Sequence, residues 1–352
     1  MTVAKRSARA RLMLVVMSLA IAFVSLEIAL RGVYFVKNRA KPTYSVLSNS
    51  YGWSSAPNRK FSYFKDNYGE VFYSTNADGF RTFGDVKTSK TRILFVGDSF
   101  TQAYHVSDGK AYFDVLGHSR PDVEVFAYGA GGYGTLQELM ALERFMPLVR
   151  PDIVVLQVHA NDIVNNDFAL ESMSRENNNH MRRPYYEGGQ VVFRHPDGAF
   201  HLLSDVSLVA RRLVLSLDSI LLRLLGTVEN DLGPSHLGLQ RSLATTQALL
   251  EKADASAGEA ALIVLIVASG DDYPYEPILE QELCGERPWK CIENLEERLD
   301  AARNRGIKVD GGSDAHWNSA GHEIAAGAVE DFLVASELLP VTEPRTEART
   351  ED

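Results

Sequence analysis

Four short apolar runs recur through the middle of the chain, each closed by Gly, Pro or polar residues. They are RILFVGDS from Arg92, VEVFAYG at 123–129, DIVVLQVHAND at 152–162 and ALIVLIVAS at 261–269. Runs of this kind read as buried parallel strands. Between them, 135–148 (TLQELMALERFMPL) and 238–257 (GLQRSLATTQALLEKADASA) read as helices, as does EIAAGAVEDFLVASELL beginning just after His322. Strands alternating with helices predict an α/β fold with a central parallel sheet covered on both faces. Such sheets carry their sites at the carboxyl ends of the strands.

The N-terminus follows a different pattern. Lys5, Arg6, Arg9 and Arg11 precede an uncharged run from Leu12 to Leu26, and apolar residues resume after Glu27 and again after Arg31 and Gly32. The uncharged run alone covers roughly 22 Å as a helix, short of a hydrocarbon core of about 30 Å. Residues 1–11 therefore read as a basic segment and 12–36 as one transmembrane anchor whose outer part emerges among headgroups. Glu27 and Arg31, one helical turn apart, can partly neutralise each other there. A cleaved signal peptide competes with this reading, but the apolar run continues past small-residue sites such as Ser18-Leu19-Ala20. Basic residues flank both ends, with Arg31, Lys37, Arg39 and Lys41 on the far side, so charge alone does not orient the segment.

Residues 37–90 are rich in Asn, Ser, Tyr, Lys and Gly and read as a lead-in with short strands such as EVFYST. Residues 91–338 read as the globular domain. An insertion at about 170–235 interrupts its alternation, beginning polar and turn-rich and ending in an apolar, Arg-dotted helix near 206–226. Long inserts of this kind are often functional, and this one reads as a lid or as a plain surface excursion. Residues 339–352 (LPVTEPRTEARTED) read as a disordered tail.

The net charge of −10 gives a polyanion no attraction and argues against a nucleic-acid partner. The only two cysteines, Cys284 and Cys291 in CGERPWKC, are close enough to close a small disulfide loop, which would suit a compartment outside the cytosol. Two unrelated thiols are the alternative. No matched set of zinc ligands lies near them, and no metal or organic cofactor is expected.

Three strand-end runs finish in residues that acyl transfer requires. Ser99 follows Gly97-Asp98, where a turn past a buried strand presents a hydroxyl at the sheet edge. Gly129, Gly131, Gly132 and Gly134 allow backbone N–H groups to approach a ligand, as an oxyanion hole requires. Asn161-Asp162 ends the third run. Near the C-terminus stands Asp314-Ala315-His316. In an extended segment residues i and i+2 point the same way, so the carboxylate can orient the imidazole for a serine nucleophile. Asp310 is a weaker candidate orienter because Gly311-Gly312 follows it. Asp98 and His322 read as structural, and His105 and His118 as surface or packing residues.

Taken together and in this order, these residues resemble the SGNH (GDSL-type) hydrolase family. GDSF at 97–100 matches its first block, Gly132 its second, Asn161-Asp162 its third, and DAHWN at 314–318, followed by Gly321-His322, its last. The resemblance covers about residues 90–335, and YGW…PN…YSTNADGFR at 51–81 resembles the lead-in of membrane-tethered bacterial relatives. It implies a three-layer SGNH fold, a Ser99/Asp314/His316 triad, and an oxyanion hole from Ser99, Gly132 and Asn161. The basic cluster ahead of the first apolar segment and the cysteine pair, with the tethered relatives as lesser support, lead us to expect a single-pass protein of a bacterial inner membrane with a periplasmic catalytic domain. The implied activity is a serine esterase acting on a small ester or on acylated cell-envelope carbohydrate. There are two departures. His159 stands where the third block carries glycine, and the last block is Asp-x-His, a form that also resembles SGNH-like polysaccharide O-acetyltransferases. An O-acyltransferase, or a non-catalytic carbohydrate-binding protein keeping the fold, are the alternatives. The GxSxG elbow of α/β-hydrolases is absent.

Overall fold

The computed structural model describes residues 8–38, 42–268, 273–312 and 314–341. Residues 1–7 of the basic segment, Arg39 and Lys41 beyond the anchor, and 342–352 of the tail lie outside the described residues.

The chain begins with helix α1 (Ala8–Asn38). Three elements of the lead-in follow: the hairpin of β1 (Ser45–Ser48) and β2 (Gly52–Ser55), the hairpin of β3 (Lys60–Lys65) and β4 (Gly69–Ser74), and the short β5 (Thr82–Phe83). Next come β6 (Thr91–Gly97), α2 (Ser99–Gln102), α3 (Tyr112–Ser119), β7 (Val123–Gly129), α4 (Thr135–Val149), β8 (Ile153–His159), α5 (Asp162–Asn165) and α6 (Phe168–Met173). The insertion contributes the hairpin of β9 (Arg183–Glu187) and β10 (Gln190–Arg194), then α7 (His201–Val206) and α8 (Leu208–Leu225). The chain closes with α9 (Leu237–Ala257), β11 (Ala261–Val267), α10 (Glu276–Cys284), β12 (Lys290–Ile292), α11 (Leu295–Asn304) and α12 (Ser319–Ala335).

Six strands form the central sheet in the order β12-β11-β8-β6-β7-β5, parallel throughout except for β5 at one edge. Alternate residues of each strand face opposite ways. Leu94, Val96, Tyr128, Leu156 and Val264 pack with α4, α9 and α10, while Ile93, Phe95, Val125, Val155 and Ile263 pack with α3, α11 and α12. With both faces covered, interior positions are apolar nearly throughout, the buried Gln157 on β8 being an exception, which is why these strands read as continuous apolar runs.

The lead-in is not a linker. Tyr51, Trp53, Tyr73 and Phe80 are buried, and β5 pairs with β7, so the domain boundary expected at residue 90 does not exist in the structure. Nor does the tail begin at 339. Leu339 is buried and the Pro340 carbonyl accepts from Arg120 Nη2 at 2.9 Å. Helix α1 runs past both ends expected of the anchor, and Arg9–Val36 is long and apolar enough to cross a membrane by length and composition. Arg31 Nε donates to Glu27 Oε1 at 2.7 Å, the pairing their spacing suggested. Cys284, at the end of α10, and Cys291, on β12, form a disulfide.

Candidate active site

β6 ends at Gly97, where a Cβ would lie 2.4 Å from Gln157 Oε1 on β8, so only glycine fits. Asp98 caps α2: its Oδ1 accepts from Phe100 N at 2.9 Å. Gln157 Oε1 accepts from Asp98 N and Thr101 Oγ1, both at 3.1 Å, and ties the turn to β8. These bonds stabilise the turn, the kind of role read for Asp98 from the sequence. Ser99 opens α2, so its backbone N–H has no intrahelical partner.

His316 Nε2 lies 2.8 Å from Ser99 Oγ, and His316 Nδ1 lies 2.7 Å from Asp314 Oδ1. The imidazole is stacked between Phe100 (centroids 4.8 Å apart) and His105 (4.1 Å), which fixes its plane. Asp314 Oδ2 takes two further partners, Lys65 Nζ at 2.8 Å and His105 Nε2 at 3.2 Å. Burial acts to raise the Asp314 pKa, but hydrogen bonds from His105, His316 and Lys65 prevail and hold it well below the usual carboxylate range. His105 is itself pushed down to about 4, chiefly by burial, and stays neutral. It therefore donates to Asp314 rather than competing as a charge. Asp310 pairs with Arg303 and does not orient the histidine. His322 is buried with Nδ1 accepting from Tyr112 N at 3.2 Å, in keeping with a structural role.

The glycine loop after β7 lies beside the Ser99 turn. A Cβ on Gly131 would sit 3.7 Å from Ser99 Cβ. The Gly131 N–H donates to Gln102 Oε1, whereas the Gly132 N–H has no acceptor among the described residues. Gly132 has φ of 73°, a conformation open to glycine, and a Cβ there would meet Asn179 Oδ1 at 2.4 Å. Its carbonyl accepts from Arg183 Nη2 at 2.7 Å, and Arg183 is fixed in turn by Glu171 at 2.8 Å. Asn161 follows β8. Its side chain does not cap α5, and its Oδ1 is buried without a partner. The His159 ring packs at a tilt on Phe100, centroids 5.0 Å apart, with Nδ1 3.6 Å from Asp98 Oδ2, so it lies against the Ser99 turn. Beneath the turn, Glu138 and Asp162 are buried. Desolvation and the nearby acids, Asp98 among them, push both well above the ordinary carboxylate range.

No protein-family model matches the chain, and no curated protein matches it. Among solved structures the chain is similar to G-D-S-L lipolytic proteins and esterases. One is a member of the lipolytic protein G-D-S-L family from Veillonella parvula, 15% identical with a TM-score of 0.41, covering 68% of this chain and 97% of that one. Another is the lipase/acylhydrolase from Enterococcus faecalis, at 14% and 0.41, covering 72% and 100%. A third is the psychrotrophic esterase EstA from Pseudoalteromonas, at 11% and 0.39, covering 71% and 100%.

Sequence reasoning missed His105, Lys65 and Tyr68. His105 is buried and packs on His316, as the packing half of its reading allows, and beyond that reading it is a partner of Asp314. Tyr68 OH donates to the His316 carbonyl at 2.8 Å and lies 3.1 Å from that of Asp314. The donor atoms of His105, Asp314 and His316 lie within 4.8 Å of one another, close enough to share a metal ion. Both His316 nitrogens, however, already face Ser99 and Asp314.

Proposed function

We propose that this chain is a membrane-anchored serine esterase of the SGNH type. The observation that carries this reading is the unbroken chain from Ser99 Oγ through His316 to Asp314, with contacts of 2.8 and 2.7 Å. Asp314, held ionised, fixes the proton of His316 on Nδ1, which leaves Nε2 as the base. As Ser99 Oγ attacks the ester carbonyl, its proton passes to Nε2 and the carbonyl oxygen gains charge. The N–H groups of Ser99 and Gly132 and the side-chain amide of Asn161 are the donors for that oxyanion. One such donor is typically worth about 3 kcal/mol in the transition state. His316 then gives its proton to the departing alkoxide, and water, activated by the same nitrogen, releases the acid from Ser99.

The cellular setting is part of the proposal. An N-terminal helix able to cross a membrane and a disulfide both suit a domain held outside the cytosol, in the periplasm at the inner membrane. The substrates accessible there include acylated envelope carbohydrate. The test is hydrolysis of p-nitrophenyl acetate by the full chain in detergent. Turnover should fall at least about a thousandfold in Ser99→Ala with the fold retained. Activity in that variant within about tenfold of the parent would remove Ser99 from the chemistry.

A further inference from the structure

Helix α8 turns its apolar stripe away from the protein. Leu213, Leu217, Ile220 and Leu224 recur at i, i+4, i+7 and i+11, the spacing of a single helix face. They are 66%, 55%, 54% and 73% exposed. The other side, with Val214, Asp218 and Leu221, lines an open cavity of about 690 Å³, and Leu217 reaches its rim while remaining 55% exposed. Arg212 and Arg223 flank the outward stripe, both exposed and neither in a salt bridge among the described residues. The preceding α7 adds exposed Leu203 and Val206. A folded domain gains nothing by leaving so much apolar surface in water.

What covers this face follows from its tie to α1. Glu27 closes the N-terminus of α8: its carboxylate accepts from Ser207 Oγ at 2.9 Å and from Leu208 N and Val209 N, both at 3.0 Å. Arg31 Nη2 donates to the Val206 carbonyl at 2.7 Å. A carboxylate at a helix N-terminus satisfies orphan N–H groups and complements the helix dipole. Glu27 is the first charged residue after the uncharged run Leu12–Leu26 and belongs to the outer part of the anchor, which emerges among headgroups. α8 therefore starts at the depth where amphipathic helices lie in the membrane plane, apolar face down and basic residues among headgroups.

We propose that α7 and α8 dock on the lipid bilayer as an in-plane second attachment beside α1, with Arg212 and Arg223 on anionic headgroups. This rests on the reading of α1 as a membrane anchor. The attachment reaches the active site through the insertion itself, where Asn179 packs on Gly132 and Arg183 holds its carbonyl. The site is thereby held at a fixed height and orientation over the membrane surface.

The experiment is spin-label accessibility on the full chain in vesicles of phosphatidylethanolamine and phosphatidylglycerol. Because Cys284 and Cys291 are paired, an added cysteine is the only free thiol. Labels go at Leu217→Cys and Leu224→Cys on α8, Val16→Cys on α1, and the exposed Glu259→Cys as the aqueous control. Labels at 217 and 224 should collide with oxygen several-fold more, relative to a water-soluble nickel complex, than the label at 259, and should lie shallower than the label at 16. Aqueous accessibility at 217 and 224 with lipid exposure at 16 would overturn the docking and leave the anchor standing. Aqueous accessibility at all three would overturn both, and lipid exposure at 217 and 224 alone would support the docking without the anchor. Dipolar broadening at 217 that vanishes on dilution with unlabelled protein would show a second copy on this face and overturn the proposal.

Discussion

Ser99 sits on a turn rooted in the middle of the sheet, between β6 and α2 and stitched to β8 by Gln157. Asp314 and His316 sit on the loop between α11 and α12, which the sheet does not reach. A single β-bridge, Asp310 to Trp317, gives that loop regular pairing. Local bonds hold part of it, the Gly311 N–H on the Asp314 and His316 carbonyls and Asn318 Nδ2 on the Lys308 carbonyl. Side chains from the lead-in add to them: Lys65 on the Asp314 carboxylate, Tyr68 on two carbonyls, and Asn67 Nδ2 on the Gly311 carbonyl at 2.9 Å. The lead-in also reaches the nucleophile half, where Arg81 Nη1 donates to the carbonyls of Gln102 and Ala103 at the end of α2. There, however, it adds to a turn already fixed by the sheet. The Asp314–His316 loop depends in addition on contacts more than 200 residues apart in sequence.

The largest expected effect comes from the bond that joins the halves. Asp314→Asn keeps the shape but lets His316 carry its proton on the wrong nitrogen, so kcat should fall by roughly 10³–10⁴ with KM little changed. A loss below about tenfold would show that another group orients the imidazole. Ser99→Ala combined with His316→Ala should be no worse than either alone, because the two act as a unit.

Next come the supports, which separate the two halves directly. Tyr68→Phe removes the hydroxyl from the Asp314 and His316 carbonyls, and Lys65→Met removes a cation from the carboxylate. Each should lower kcat by about tenfold, the scale of one lost hydrogen bond to a charged or catalytic loop. Trp53→Phe removes the indole N–H, 2.9 Å from the Gly131 carbonyl on the sheet-rooted side, and should lower kcat by no more than about threefold. Steady-state kinetics showing equal losses on both sides would erase the distinction between the halves.

The outline of the fold was legible because buried parallel strands are written as continuous apolar runs. The runs at 123–129 and 261–269 correspond to β7 and β11 almost residue for residue. The helix expected near 206–226 is α8, and 238–257 is α9. β5 was not legible: two residues carry no period, and its place depends on pairing with β7. β12, three residues long, is equally silent. Within the site, Ser99, Gly132 and Asn161 stood out because each follows an apolar run, and Asp314 and His316 because of their two-residue spacing. His105 and Lys65 had no such signal. Their role depends on a carboxylate far along the chain, which no local pattern announces.

The smallest effect is on stability. His105 is held neutral with a pKa of about 4, while in the unfolded chain it protonates near 6.5. Below 6.5 the unfolded state binds a proton that the native state does not. His105 therefore contributes stability that is present above about pH 6.5 and is lost as pH falls from there toward 4. His322, lowered by burial to about 3, acts with the same sign, and His180, raised by its bond to Asp197, acts with the opposite one. The Tm of the parent should therefore drop more between pH 7 and about 4.5 than that of His105→Gln. Parallel curves from calorimetry would remove His105 from this balance.

Activation of Ser99 by a histidine that Asp314 holds in place can be read by covalent labelling. The folded full chain, treated with a fluorophosphonate and digested, should carry one phosphonyl group, on the peptide containing Ser99. Asp314→Asn should take up that label far more slowly, and His316→Ala should remain unlabelled. A parent chain that stays unmodified, or that carries the label on a residue other than Ser99, would contradict the account.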